Sequence, residues 1–162
     1  PYTSFGHEIA HNWWGNSVFV DIEEGNWCEG LTVYCADYHY KELESDDAAR
    51  EYRRTLLKDY AAYVKDPSLD FPLSEFLSRH SGATRAVGYG KSMMVFQMVD
   101  RMIGRENFLA GLRRVAGDHH YTKASWSHFM TAFGEAGDRD LGPFTDQWLS
   151  WTGAPTLNLG EV

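Results

Sequence analysis

"HEIAHNWWGN", residues His7 to Asn16, sets two histidines four positions apart with a glutamate directly after the first. Four positions are close to one helical turn, so on a helix both imidazoles share a face while Glu8 projects about 100° away. This is the HExxH arrangement, in which both rings can reach one ion and the carboxylate can reach a water bound to it. Trp13 and Trp14 are expected to pack this helix against its neighbours, and Gly15 to end it in the left-handed region.

Two nitrogens do not complete a catalytic zinc site, which takes a third protein ligand and leaves one position for water. A metzincin would carry glycine at position 14 and histidine at position 17, where the chain has Trp14 and Ser17. The remaining solution draws a glutamate from the next helix. Glu29, in "CEGLTVY", stands eighteen positions after His11 at the start of such a helix. Glu23 and Glu24 are acidic alternatives in what reads as a turn, and a helix holds a ligand more rigidly. His119 and His120 read as surface residues, and His39, His80 and His128 have no partner at ligand spacing.

Outward from the motif, an apolar period near 3.6 marks helices at about 4–14, 27–43, 46–64, 84–103, 106–116, 125–135 and 141–151. Only "SVFVDI" (17–22) and "PTLNLGEV" (155–162) alternate as strands do. The expected fold class is mainly α, with at most two short strands. Ser45, followed by Asp46 and Asp47, is a helix start. "KDPSLDFPLSEF", with Pro67 and Pro72, reads as an ordered connection. Met93, Met94, Met98 and Met102 form a packed helix face.

With 162 residues, 43% of them hydrophobic, the chain fits one domain, residues 1–162, and holds no stretch of membrane-spanning length. Its net charge of −8, with lysines and arginines dispersed, offers no stripe for phosphates, so nucleic acid is excluded as a partner. Cys28 and Cys35 fall seven residues apart on one helix, about 10 Å, too far to pair. The chain is therefore expected to be soluble, in a compartment left open between cytoplasm and periplasm. Its opening "PYTSFGHE", without an initiator methionine, reads as part of a longer polypeptide, and residues 154–162 as the start of a following β domain.

Taken together, "HEIAHNWWGN", "EGLTVY" from Glu29 and "GYGKSMMVFQM" from Gly88 resemble the zinc aminopeptidases related to aminopeptidase N and leukotriene hydrolase, a gluzincin branch. "GRENFLAGLRR" and "FTDQWLSWTGAPTLNL" resemble the stretches that close that family's catalytic domain. The resemblance implies a thermolysin-like zincin catalytic domain, represented by its C-terminal helical portion. It implies one Zn²⁺ on His7, His11 and Glu29, with Glu8 as the base and a peptide as substrate. It also matches Tyr89 to the catalytic tyrosine of a Tyr-x-Lys-Gly motif, which here reads Tyr89-Gly90-Lys91-Ser92. The loop before Glu29 is one residue shorter than usual, and Cys28 stands where the family has asparagine. The implied activity is release of N-terminal residues; an endopeptidase, or a peptide-binding module without turnover, are the alternatives. The family grips the substrate's α-ammonium from a Gly-x-Met-Glu-Asn segment upstream of HExxH. The rest of the parent polypeptide is therefore expected to be required, and the isolated chain to have little or no activity.

Overall fold

Polar side chains at the ends of apolar-periodic stretches decide where the helices begin. The computed structural model describes residues 2–153, with side chains described from Phe5 onward. Its helices are α1 (Tyr2–Ala10), α2 (28–44), α3 (Asp46–Tyr63), α4 (82–103), α5 (Arg105–Asp118), α6 (Trp126–Gly137) and α7 (Gly142–Ser150). Ser45 Oγ accepts the Ala48 N–H at 3.1 Å and starts α3 as expected. A capping box between Ser81 and Thr84 starts α4 slightly before its expected position. The connection between them is ordered: Asp66 caps a single 3-10 turn (Pro67–Leu69), and Leu73 and Phe76 enter the core.

α1 stops at Ala10 rather than Trp14. The His11 N–H still donates to the His7 carbonyl at 3.2 Å, but those of Asn12 and Trp13 turn back on Ile9 and Ala10 in tighter three-residue bonds. Both histidines thus keep helical spacing. Gly15, expected to end the helix, lies instead in the turn after it: it takes φ +109°, and a Cβ there would lie 3.0 Å from Cys28 Sγ, so that turn needs glycine for backbone and for space.

Two helices contain a π-helical stretch that apolar periodicity did not reveal: Val33–Tyr38 in α2 and Ala86–Lys91 in α4. A π turn carries more residues than an α turn. Residues eight apart, which diverge by about 80° on an ideal α-helix, are therefore drawn back toward one face. Both stretches border the site described below.

The first expected strand shrinks to β1 (Phe19–Val20), which pairs in parallel with β2 (Lys123–Ala124) in the register Phe19–Lys123 and Val20–Ala124. The expected strand 155–162, and the β domain expected to start at 154, lie outside the described residues. β2 falls instead between the helices expected at 106–116 and 125–135, and the Trp27 indole ties it to α2 by donating to the Ala124 carbonyl at 2.7 Å. The core gathers Trp27, Phe96, Phe108, Trp126, Phe129 and Phe133, all fully buried. Cys28 and Cys35 are unpaired, as their spacing required. No described helix is long and apolar enough to cross a membrane.

Candidate metal centre

α1 presents His7 and His11, and the excursion through β1 and a 3-10 turn (Ile22–Glu24) reverses the chain. Asn26 Oδ1 then accepts the Cys28 N–H at 3.0 Å, starting α2 so that Glu29 faces α1 in its first turn. Glu29 Oε2 lies 3.3 Å from His7 Nε2 and 3.5 Å from His11 Nε2. One donor atom from each of the three residues lies within 4.8 Å of the other two. Glu23 and Glu24 are not part of this cluster. Glu24 instead accepts the Ser127 N–H at 2.9 Å and the Ser127 hydroxyl at 3.0 Å.

The outer nitrogens decide what the inner ones can do. His11 Nδ1 lies 2.9 Å from the Trp14 carbonyl, which can only accept, so Nδ1 carries the proton and Nε2 presents a lone pair. His7 Nδ1 lies 2.8 Å from Asp37 Oδ2, which fixes the same tautomer through a carboxylate. Without a metal the His7 Nε2–H faces the Glu29 carboxylate; once that proton leaves, two nitrogen lone pairs and a carboxylate oxygen converge on one point, a donor set suited to a cation. A tetrahedral zinc with bonds near 2.0–2.1 Å would have ligand-to-ligand edges of about 3.3 Å. The 3.3 Å and 3.5 Å separations fit that set.

Cys28 completes the support of His11. Its thiol donates to the same Trp14 carbonyl at 2.9 Å, fixing the group that orients the ring, at the position where the resembled family has asparagine. Asp37 was not anticipated: it stands eight residues after Glu29, and only the π stretch of α2 turns both toward α1. The Trp14 carbonyl leaves no trace in a side-chain motif. His119 and His128, expected to stand apart, meet with ring centroids 4.3 Å apart, away from this centre.

His7, Glu8 and Tyr89 line one cleft, with Asp37 and Arg79 among its other walls. Glu8 is exposed to the cleft, as a residue one helical step off the histidine face must be. Tyr89, from the π stretch of α4, packs edge-on against the buried Phe76 with centroids 6.2 Å apart. Burial, and next the Glu29 charge, push its phenol up to about 12, so it remains a hydrogen-bond donor at neutral pH. The Asp37 hydrogen bond, then Glu29, raise His7 to about 9 against the opposing effect of burial. Burial raises Glu29, but the His7 hydrogen bond and the His11 charge outweigh it and leave its carboxyl below the usual range.

A mainly helical chain that turns two imidazoles and a carboxylate on one point, beside an uncommitted glutamate, has the architecture of a zincin's helical subdomain. Residues 3–148 match the Peptidase family M1 domain, and the chain belongs to that family. It is 27% identical over 166 residues to human glutamyl aminopeptidase, covering 99% of this chain and 17% of the relative. To mitochondrial aminopeptidase 2 of Saccharomyces cerevisiae it is 23% identical over 159 residues, covering 96% and 17%. The chain thus spans about a sixth of the length of these relatives. Its fold is shared with a two-domain M1 zinc metallopeptidase bound to L-tryptophan, at TM-score 0.70 and 18% identity over 97% of this chain and 34% of the other. An M1 zinc metallopeptidase from Deinococcus radiodurans bound to a Tyr-Ser-Ala substrate superposes at TM-score 0.68 with 19% identity, over 97% and 34%.

Proposed function

We propose that this chain is the metal-bearing helical part of a zinc aminopeptidase, in which His7, His11 and Glu29 hold one Zn²⁺. The observation that carries the reading is the orientation of the two rings: Asp37 and the Trp14 carbonyl engage the two Nδ1 atoms, which turns both Nε2 atoms toward the Glu29 carboxylate. Zinc, when bound, supplies a polarised carbonyl and a water of lowered pKa.

The chain's own residues do the rest. Glu8, exposed in the cleft beside His7, takes the proton of the attacking water and returns it to the leaving amine. Tyr89, held as a neutral phenol, donates to the oxygen on which negative charge develops, and that bond strengthens in the transition state. Asp37 holds the His7 ring and raises its basicity. The names of the relatives support an exopeptidase, and the match to about a sixth of their length supports a cleft completed by other parts of the polypeptide.

Glu8→Gln in the polypeptide carrying these residues tests the assignment. Turnover of aminoacyl anilides is expected to fall about 10²–10⁴-fold while zinc content stays at one per site. Undiminished turnover removes Glu8 from its role, and loss of zinc from this variant would mean that the carboxylate binds metal instead. Steady turnover by the isolated 162 residues would contradict a shared cleft.

A further inference from the structure

The cleft that holds His7, Glu8 and Tyr89 is lined by three cations: Lys41, Arg79 and Arg85. Two are already matched, Lys41 to Glu44 at 2.7 Å and Arg85 to Asp59 at 3.4 Å. Arg79 has neither an ion pair nor a hydrogen bond among the described residues. It is exposed to the cleft, and its charge reaches the Tyr89 phenol.

Arg79 does not hang from a loose loop. Phe76, three residues before it, is buried edge-on against Tyr89 and sits so close to Gly88 that a Cβ there would lie 2.2 Å from its ring. The Phe76 carbonyl accepts the Asn26 N–H at 2.6 Å, and that of Leu77 accepts the Asn26 side chain at 3.0 Å. On the other side, the His80 and Ser81 N–H groups donate to Thr84 Oγ1 at 3.0 and 2.9 Å, anchoring the connector to the start of α4, the helix that carries Tyr89. The backbone that carries Arg79 is therefore anchored on both sides, with Phe76 packed on the Tyr89 ring, and the guanidinium itself is left free in the cleft.

A guanidinium presents planar, paired donors that match a carboxylate. We propose that Arg79 is a specificity-determining residue that binds a carboxylate of the peptide close to the scissile bond. That carboxylate is either an acidic side chain or the free C-terminus of a short peptide. The assignment rests on the peptidase reading above, which supplies Tyr89 and the cleft as the place where substrate lies.

Isothermal titration calorimetry on the full polypeptide separates the cases, using tri-alanine, tri-alanine amide and Ala-Glu-Ala amide, in the Glu8→Gln background so that nothing is consumed. Wild-type Arg79 is expected to bind at least one carboxylate-bearing peptide about tenfold more tightly than tri-alanine amide, the scale of one charge-assisted bond. Arg79→Ala should collapse that preference toward unity, and Arg79→Lys should restore part of it. A preference confined to tri-alanine identifies the C-terminus, and one confined to Ala-Glu-Ala amide identifies the side chain. No preference in the wild type, or one that survives Arg79→Ala, overturns the inference. Hydrolysis of the same peptides with Glu8 restored is scored separately. Turnover without a carboxylate preference removes only the role of Arg79, and the preference without turnover removes only the peptidase reading.

Discussion

Replacing Gly30 with alanine tests whether one helix crossing sets the distance between the candidate ligand Glu29 and Tyr89. A Cβ on Gly30 would stand 1.8 Å from Ser92 Oγ and 2.3 Å from Ser92 Cβ. The hydroxyl could rotate away, but the Cβ is fixed to the backbone. Reaching ordinary contact at about 3.4 Å requires α2 and α4 to part locally by roughly 1 Å, an overpacking strain of about 1–3 kcal/mol. Gly30 adjoins Glu29 and Ser92 lies one turn past Tyr89, so this parting should also draw the phenol from the carboxylate. Ser92 Oγ is buried without a hydrogen-bond partner among the described residues. Ser92→Gly therefore relieves about 1–3 kcal/mol of unsatisfied burial against about 0.5–1 kcal/mol of lost helix propensity, and alone should be near neutral or mildly stabilising. In the double variant the clash with the Ser92 side chain disappears and only a 3.0 Å approach to the Ser92 backbone carbon is left, so a coupling of about 1 kcal/mol is expected. Urea unfolding of the four proteins, followed by circular dichroism, measures it. A neutral Gly30→Ala, or strictly additive effects, would refute the close crossing.

Four further outcomes follow from the same geometry. Asp37→Asn keeps a hydrogen-bonding atom on His7 but removes the charge 2.8 Å away; zinc affinity, measured by chelator competition, should fall about 10–100-fold, and an unchanged affinity would remove Asp37 from the centre. Burial raises Glu24, but the Ser127 backbone and hydroxyl bonds lower it further, so its folded pKa lies below the unfolded value of 4.5. Its contribution is then complete above pH 4.5 and lost as pH falls through the folded pKa, so wild type and Glu24→Gln should differ in thermal stability at neutral pH and converge in acid; a gap that persists in strong acid contradicts the sign. Phe133 is fully buried and stacked on Phe108 at 4.6 Å, and Phe133→Ala should cost about 3–5 kcal/mol in the same urea assay, whereas less than 1 kcal/mol would mean the site collapses without a cavity. Zinc added to chelator-treated protein at 100 times its Kd should stabilise the fold by about 2.7 kcal/mol; no rise in the melting temperature, with His7→Ala as control, would argue against a site on these residues.

Much of this protein was legible in its sequence because the relevant physics is local. Helical period, the Ser45 cap and the four-residue spacing of His7 and His11 each depend on neighbours within a turn or two, and the structure keeps them; Gly15 takes its positive φ as expected, but five residues after the helix has ended. Even the approach of Glu29 was expected of a glutamate that opens the next helix. Tertiary structure alone decided the rest. The π stretches Val33–Tyr38 and Ala86–Lys91 bring Asp37 and Tyr89 to the site, and their backbone rotation leaves no apolar signature. β1 found its described partner in Lys123–Ala124, because a two-residue strand is chosen by what packs beside it rather than by its own alternation. The carbonyl that fixes His11 belongs to Trp14, a residue whose side chain says nothing of it. Side-chain pattern reports which face a helix buries, whereas the tautomer of a histidine depends on an acceptor that only the folded chain brings near.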